Sequence, residues 1–429
     1  MTLSSASPGV ERVSRRWSLV AVLRDAAWLT EARARRFTRI WLIISLLMAA
    51  AWLALSKGDL DPLGKPLGTD FVSFWIASKM ALGGHAAQVY DLQAHRAVQA
   101  RQFGPAVGYF AFFYPPIYLL ICLPLALAPY LAALGGWLGL TGAAYVRVAR
   151  AFCGEAATAR RIGWLAILAF PAVLTNVGHG QNGFLSLALF GGGVLLLDRR
   201  PLVAGLLLGC LVYKPHLGLL IPIALIAAGR WRTVLSAACT VIAAVALSLW
   251  AFGGQVWSAF LASSAIARAA LEQNAVGNER MQSVFAAVRL LHGSLILAYG
   301  AQAMMAAAVC AALIFAQRRA FRASAEGPAL VTAALLASPF LLDYDLILLA
   351  IPLAWLTVQG LRSGFWPWEK SIIAAAYILP AVSRSLATAT GLPIGPLVMA
   401  AVFWLVMRRW IGRAASASKP SIADLVTVS

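Results

Sequence analysis

Residues 183–225 read GFLSLALFGGGVLLLDRRPLVAGLLLGCLVYKPHLGLLIPIAL and contain three apolar runs in close succession. Only an arginine pair and a Lys-Pro-His group separate these runs. A helix needs about 20 apolar residues to cross a bilayer, and fewer where neighbouring helices bury it. The stretch therefore predicts an all-α protein that crosses a membrane several times.

The composition of the whole chain supports this fold class. Of 429 residues, 61% are hydrophobic and 12% are charged, and the mean hydropathy is +0.79. These values exclude an ordinary soluble globular protein. The 35 Lys and Arg against 16 Asp and Glu would suggest a nucleic-acid partner in a soluble chain, but here most basic residues lie in short runs between apolar segments. This distribution is typical of membrane topology, and we expect no nucleic-acid partner.

Candidate membrane spans are numerous. Arginine clusters precede the first span and follow the last, which predicts two cytoplasmic termini and an even number of crossings. The segment from Tyr114 to Pro129 carries four prolines, which interrupt helical hydrogen bonding. We therefore predict that 112–128 is re-entrant or broken and that about 12 transmembrane helices remain. The thirteen candidates are 40–56, 112–128, 130–147, 162–177, 183–197, 202–214, 217–229, 233–251, 293–316, 328–342, 345–359, 371–386 and 393–407.

Charge and hydropathy divide the chain into three parts. Residues 1–39 form a basic cytoplasmic segment without a cleavable signal peptide, residues 40–410 a transmembrane domain, and residues 411–429 a cytoplasmic tail. The internal arginine clusters also fall on the cytoplasmic side in this arrangement. We expect a multi-pass protein of the bacterial cytoplasmic (inner) membrane.

The opposite, outer side receives most of the remaining polar segments. Charged groups cost about 2.5–3.5 kcal/mol at the centre of a membrane helix, so polar groups from distant parts of the chain are best explained by one outward-facing cavity. The alternative is that each segment is simply a loop end. The segments are 57–111, 175–183, 212–216, 252–292, 338–345 and 384–391.

The outer loop 57–111 contains two candidate helices. FVSFWIASKMAL places Phe71, Phe74, Trp75 and Met80 roughly on one helical face, and the more polar DLQAHRAVQARQF follows. We predict that both are interfacial helices, lying flat at the outer leaflet beside the route by which a lipid enters.

Two charged residues are candidates for chemistry, each with a structural alternative. Asp70 begins the first loop helix, where a carboxylate either caps the helix or acts as a general base facing the cavity. Lys214 lies in an apolar run just before Pro215. Its ammonium either snorkels to the interface or, beside His216, offsets the charge of a leaving phosphate.

The remaining polar motifs also admit two interpretations. His179, Gln181 and Asn182 belong to GHGQNG, which is either a loop or a flexible backbone close to a polar ligand. Residues 343–345 read DYD and either cap the next helix or bind a substrate or cation. The five histidines lack metal-binding spacing, so we predict no metal site.

Four stretches together resemble glycosyltransferase family 87. They are GTDFVSFWIASKMALGGHAAQVYD, FFYPPIYLLICLPLA, the run from GHGQNG to LLIPIAL, and LLASPFLLDYD. The resemblance spans about residues 40–360, and the block from GQN through RRPLVAG to YKP is its most specific part. Members of this family are GT-C-type membrane enzymes that use polyprenyl-phosphate sugars, typically mannose, and include mycobacterial mannolipid mannosyltransferases.

The resemblance implies a GT-C-like helical bundle and an activity. A hexose such as mannose would pass, with inversion, from a polyprenyl-phosphate donor to a lipid or glycan acceptor on the outer face of the membrane. The expected partners are thus membrane lipid, the donor and a glycolipid or glycan acceptor, with no cofactor. A flippase or secondary transporter for a lipid-linked or acidic solute is the alternative, but such proteins usually show an internal repeat and none is evident.

The resemblance also implies roles for residues. Asp70 would be the catalytic base, and Lys214 and His216 would balance the charge of the departing phosphate. One departure is that some mycobacterial members carry histidines shortly after the Ser-Pro pair, where this chain has acidic residues. The candidates for binding the sugar or substrate are His179, Gln181, Asn182, Tyr114, Asp343, Tyr344 and Asp345.

Overall fold

The regular secondary structure is helical, as predicted. The computed structural model describes residues 18–154, 157–319 and 324–417, and within them the only β-type pairs are isolated bridges. For residues 157–162 and 413–417 the description covers the backbone only. Residues 1–17 of the predicted N-terminal segment and residues 418–429 of the predicted tail lie outside the described residues.

The described residues contain twenty α-helices. The first ten are α1 Leu19–Asp25, α2 Glu31–Ala54, α3 Phe71–Leu82, α4 Leu92–Phe103, α5 Pro116–Cys122, α6 Tyr130–Ala151, α7 Ala157–Leu168, α8 Pro171–His179, α9 Gly183–Leu196 and α10 Pro201–Cys210. The others are α11 Pro215–Gly218, α12 Ile221–Ala227, α13 Trp231–Phe252, α14 Gly254–Glu272, α15 Val284–Leu290, α16 Leu295–Arg319, α17 Glu326–Ala337, α18 Ala350–Ser363, α19 Glu369–Thr390 and α20 Ile394–Ala417. Short 3₁₀ helices lie at Ala86–Tyr90, Leu123–Leu127, Leu211–Tyr213 and Asp343–Leu349.

Seven helical segments of the described chain are long and apolar enough to cross a membrane. They confirm a polytopic helical membrane protein, whereas the count of about 12 crossings stays a prediction because the remaining apolar helices are shorter. The proline-rich segment forms α5 and a 3₁₀ helix over 116–127, about 20 Å of rise against a hydrocarbon core of about 30 Å. The seven segments are Glu31–Ala54, Tyr130–Ala151, Trp231–Phe252, Leu295–Arg319, Asp343–Ser363, Glu369–Thr390 and Ile394–Gly412.

Two buried arginines connect helices of the bundle through ion pairs. Arg230 contacts Glu326 through two hydrogen bonds of 2.8 and 2.6 Å and Asp198 through one of 2.9 Å. Arg409 binds Glu369 in the same two-pronged manner, at 2.5 and 2.6 Å. Both guanidinium groups come from arginine clusters that we predicted to be cytoplasmic.

The first helix of the outer loop corrects one prediction. We expected α3 to lie flat on the membrane with one apolar face, but nearly all its residues are buried, including the polar Ser73 and Ser78. Lys79 and Leu82 are exposed, and the Lys79 ammonium lies 4.1 Å from the centre of the Trp75 ring. The helix is therefore a core element, so its N-terminus is held at a fixed place in the bundle.

The second loop helix holds the chain that leads to Tyr114. The Gln99 side-chain amide donates to the Phe110 carbonyl at 2.7 Å and accepts from the Phe110 N–H at 3.0 Å. The Tyr90 hydroxyl donates to the carbonyl of Tyr114 at 2.9 Å. Burial lowers the pKa of His95 to about 4, so this ring packs against Tyr109 in its neutral form at pH 7.

Candidate functional site

Asp70 stands at the N-cap position of α3 without capping it. Its backbone is already helical (φ −77°, ψ −21°), and its side chain makes no capping hydrogen bond. Instead the Gln181 amide donates to Asp70 Oδ2 at 2.9 Å, and His179 Nδ1 lies 3.8 Å from the same oxygen. The side chain remains 33% exposed, so the carboxylate is both oriented and accessible.

The GHGQNG motif supplies the groups around Asp70. Helix α8 ends at His179, whose carbonyl accepts from the Asp70 backbone N–H at 3.0 Å, and whose Nδ1 lies 2.9 Å from the Thr69 hydroxyl. Gly180 turns the chain in the left-handed conformation (φ 60°), which a residue with a Cβ adopts only at a cost. The Gln181 oxygen accepts from Asn182 N–H at 3.1 Å and from the Tyr114 hydroxyl at 3.4 Å, so its amino group points to Asp70.

Three tyrosines form a stacked wall beside the motif. The ring centres of Tyr114 and Tyr118 are 4.5 Å apart, and those of Tyr118 and Tyr213 are 5.0 Å apart. The side chain of Asn182 is fully buried next to the Tyr114 and Tyr118 hydroxyls, yet neither amide atom meets a partner at hydrogen-bond geometry. Tyr118, Tyr213 and Asn182 are buried, whereas Tyr114 is partly exposed, so Tyr114 is the member of this wall that a ligand beside Asp70 can reach.

Lys214 does not snorkel, so that alternative is wrong. Pro215 starts a new helix after it, and the Lys214 ammonium turns inward to Asp345, 2.5 Å from Oδ1. The two side chains are only 3% and 1% exposed. The other oxygen of Asp345 accepts from the Leu342 N–H at 3.3 Å. The lysine charge is therefore already matched inside the protein.

His216 is the candidate least connected to the others. Its ring lies 6.2 Å from that of Phe340, and Nε2 is buried with no hydrogen-bond partner among the described residues. It lies within electrostatic range of Asp345 and Lys214. The structure thus brings it near the ion pair without a direct contact to Asp70.

The DYD segment joins the site through its backbone. The carbonyl of Tyr344 accepts from the Asn176 amide at 2.8 Å, and the Tyr344 ring centre lies 6.4 Å from that of His179. The carboxylate of Asp343 accepts from the Tyr344 N–H at 2.9 Å. Among the described residues no three His, Cys, Asp or Glu side chains are close enough to hold a metal ion.

These contacts gather the predicted polar segments at one end of the bundle. Asp70 meets 175–183, Lys214 meets 338–345, and the Gln282 N–H of 252–292 donates to the Leu341 carbonyl at 2.7 Å. Segment 384–391 takes part through Arg384, which lies within electrostatic range of Asp343. Several residues of this region were not predicted from the sequence, although some of them adjoin predicted residues. They are Thr69, Tyr118, Asn176, Ser186, Tyr213, Arg280 and Arg384.

A glycine substitution tests whether this packing positions the site. A Cβ on Gly183 would collide with the Asn176 side chain and approach the Tyr344 carbonyl to 2.9 Å. Gly183→Ala should therefore lower stability by about 1–3 kcal/mol and reduce activity, measured as the melting temperature and turnover of the purified protein.

Gly178→Ala is the matched control. A Cβ there meets no atom within 4 Å, and alanine is the better helix former by up to about 1 kcal/mol. Equal melting temperatures for Gly183→Ala and wild type would contradict the close packing of α8, α9 and the DYD segment.

Comparison with known proteins gives one match. A sequence model described as glycosyltransferase family 87 matches residues 112–342, slightly more than half of the chain. No curated protein and no solved structure matches the chain significantly. The matched range includes Tyr114, the GHGQNG motif and Lys214, whereas Asp70 precedes it and Asp343 follows it directly. The hydrogen bond from Gln181 therefore connects Asp70 to the matched part.

Proposed function

Since the chain belongs to glycosyltransferase family 87, we propose that this membrane glycosyltransferase moves a hexose, mannose in the first instance, from a polyprenyl-phosphate donor to a lipid or glycan acceptor. Family membership favours a transferase over the flippase or transporter alternative. The donor class and the sugar come from the resemblance described above. No cofactor is part of the proposal.

The observation that carries the proposal is the state of Asp70. It is a partly exposed carboxylate that Gln181 orients from one side, and no lysine or arginine of the described chain pairs with it. Asp70 Oδ1 forms no hydrogen bond to a described residue. A general base needs such a free, oriented oxygen within reach of the proton that it removes.

The proposed reaction is a single displacement. Asp70 takes the proton of an acceptor hydroxyl, and the hydroxyl oxygen forms a bond to the anomeric carbon of the sugar. The bond from that carbon to the phosphate oxygen breaks, and the phosphate keeps the electron pair. Attack from the face opposite the phosphate inverts the anomeric centre, so the acceptor, sugar and phosphate have to lie roughly in line beside Asp70.

We assign the sugar to the surface formed by the GHGQNG motif and the tyrosines. His179 lies 3.8 Å from Asp70, and the Tyr114 hydroxyl donates to the Gln181 oxygen, so both are placed beside the base. The Asn182 side chain is buried next to the Tyr114 and Tyr118 hydroxyls and supports this surface. Asp343, Tyr344 and Asp345 border the same region, with Asp345 committed to Lys214.

The purified protein in liposomes tests the activity. We expect transfer of radiolabelled mannose from polyprenyl-phosphate mannose to lipid acceptors extracted from the host membrane, and none from a nucleotide-linked mannose. Purification matters because crude membranes convert nucleotide sugars into lipid-linked ones. Equal transfer from the nucleotide sugar would overturn the donor assignment.

We also propose that the site faces the periplasm or exterior, with both termini in the cytoplasm. The support is the charge distribution, because α9 begins at the GHGQNG motif and ends just before the Arg199 and Arg200 pair.

Thiol labelling tests this orientation. In a variant without native cysteines, His85→Cys should react with a membrane-impermeant reagent in intact cells, and Arg199→Cys only after permeabilisation. Both side chains are exposed, so accessibility within the protein does not limit the reaction. Labelling of position 199 in intact cells would reverse the proposed topology.

A further inference from the structure

The charge on the departing phosphate needs a partner other than Lys214. The Lys214 ammonium is buried and paired with Asp345, so it has little net charge to offer. The histidines that some family members carry after the Ser-Pro pair are replaced here by acidic residues. Other cations near the DYD segment are therefore candidates for this role.

Arg280 lies beside Asp343 because of a local backbone pairing. Met281 and Leu342 form an antiparallel bridge, and the Gln282 N–H donates to the Leu341 carbonyl at 2.7 Å. In an antiparallel pair, the residue before one member is opposite the residue after the other. Arg280 is thus opposite Asp343, and its side chain is exposed.

Arg384 reaches the same place from another helix. Helix α19 packs against the 3₁₀ helix Asp343–Leu349 with Leu379, Pro380, Ser383 and Ala387 buried on its inner side, and Arg384 borders this side. Arg384, Arg280 and His179 all lie within electrostatic range of Asp343. Among the described residues, neither guanidinium group donates a hydrogen bond or forms a close ion pair.

We propose that Arg280 and Arg384 bind the phosphate of the polyprenyl-phosphate donor and stay with it as the sugar departs. This inference rests on the proposed function. Two guanidinium charges against the single carboxylate of Asp343 leave one net positive charge for the phosphate. His179 lies 3.8 Å from the Asp70 carboxylate and within electrostatic range of Asp343, so it connects the base to the side of the site where we place the phosphate.

Arginine suits this role chemically. The donor phosphodiester carries one negative charge, and the released monoester carries between one and two, so attraction to the arginines grows as the bond to the sugar breaks. A guanidinium presents two parallel N–H groups to phosphate oxygens, which an ammonium does not. Asp343 lies within electrostatic range of both arginines, and its negative charge favours their position there before the donor binds.

Equilibrium binding of radiolabelled undecaprenyl phosphate to the purified protein tests the site without requiring transfer. Arg280→Gln and Arg384→Gln should each raise the Kd at least about tenfold, because each removes charged hydrogen bonds. Each should also raise the KM for the donor more than the KM for the acceptor. Arg280→Lys should recover part of the affinity, because it restores the charge but not the paired N–H groups.

Arg268→Gln is the matched control, since Arg268 is an exposed arginine of α14 that does not interact with Asp343. Its Kd should equal that of wild type. Unchanged Kd values for both the Arg280 and Arg384 variants would overturn the inference and leave the proposed function standing. Equal competition by phosphatidylglycerol would also overturn it, because the site would then bind anionic lipids in general. Wild-type protein that binds undecaprenyl phosphate but transfers no mannose would instead refute the proposed function.

Discussion

Asp70→Asn is expected to lower kcat at least about a hundredfold while the protein accumulates, melts normally and binds undecaprenyl phosphate. A general base contributes about 10²–10⁴-fold, and an amide does not accept a proton from a sugar hydroxyl. Asparagine is close to aspartate in size, and its oxygen still accepts the hydrogen bond from Gln181. The measurement is single-turnover transfer from polyprenyl-phosphate mannose.

The same loop contains a matched control. Asp91 is a true N-cap, whose carboxylate accepts from the N–H groups of Gln93 and Ala94 at 2.8 and 3.0 Å. Asparagine caps about as well as aspartate, so Asp91→Asn should leave both stability and transfer unchanged. Wild-type transfer by Asp70→Asn would refute the catalytic role of Asp70, and equal losses in both variants would show that a general loop effect had been measured.

Lys214→Met is expected to prevent normal accumulation of the protein in the membrane. It would leave the Asp345 carboxylate buried without its cation, and breaking such a pair from one side costs about 3–5 kcal/mol. Quantitative immunoblotting of membranes and the melting temperature of the solubilised fraction measure this effect. Lys79→Met is the control, because Lys79 is exposed and its contact with Trp75 is worth about 0.5–1 kcal/mol.

A double variant separates the structural role of Lys214 from a chemical one. Lys214→Met with Asp345→Asn removes both charges and keeps an acceptor for the Leu342 N–H, so accumulation should return. We expect this variant to transfer mannose at a rate within about tenfold of wild type, because the arginines meet the phosphate charge. If the double variant is stable but inactive, Lys214 is the residue that offsets the charge of the phosphate. Normal accumulation of Lys214→Met alone would contradict the buried ion pair.

The membrane-crossing helices could be predicted from the sequence, because they depend on the hydropathy of consecutive residues. Crossing a bilayer requires a run of apolar residues, and α13, α16 and α19 each contain one that predicted the helix within about four residues at either end, whereas α20 continues ten residues beyond its predicted end. The broken character of 116–127 followed equally from its prolines, because proline lacks the N–H that a continuous helix needs. Both are local properties, independent of what packs around them.

The burial of α3 on all sides could not be predicted from the sequence. FVSFWIASKMAL has the same composition whether one face or every face is covered, and the tertiary structure buries nearly all of it. Likewise, Asp70 precedes a helix in the manner of a cap, and the choice between a cap and a base depends on Gln181, which is 111 residues away.

By itself, the sequence of this protein determined a helical membrane protein, predicted that its polar segments share one side, and gave Asp70, Lys214 and the GHGQNG motif as candidates. Only the tertiary structure decided that Lys214 is neutralised by Asp345, 131 residues away, and that Arg280 and Arg384 lie within electrostatic range of Asp343. The physical reason for this difference is that membrane-spanning helices depend on the solvation of consecutive residues, which the sequence shows directly. The charge and availability of a side chain instead depend on which distant group the fold places within a few ångströms of it.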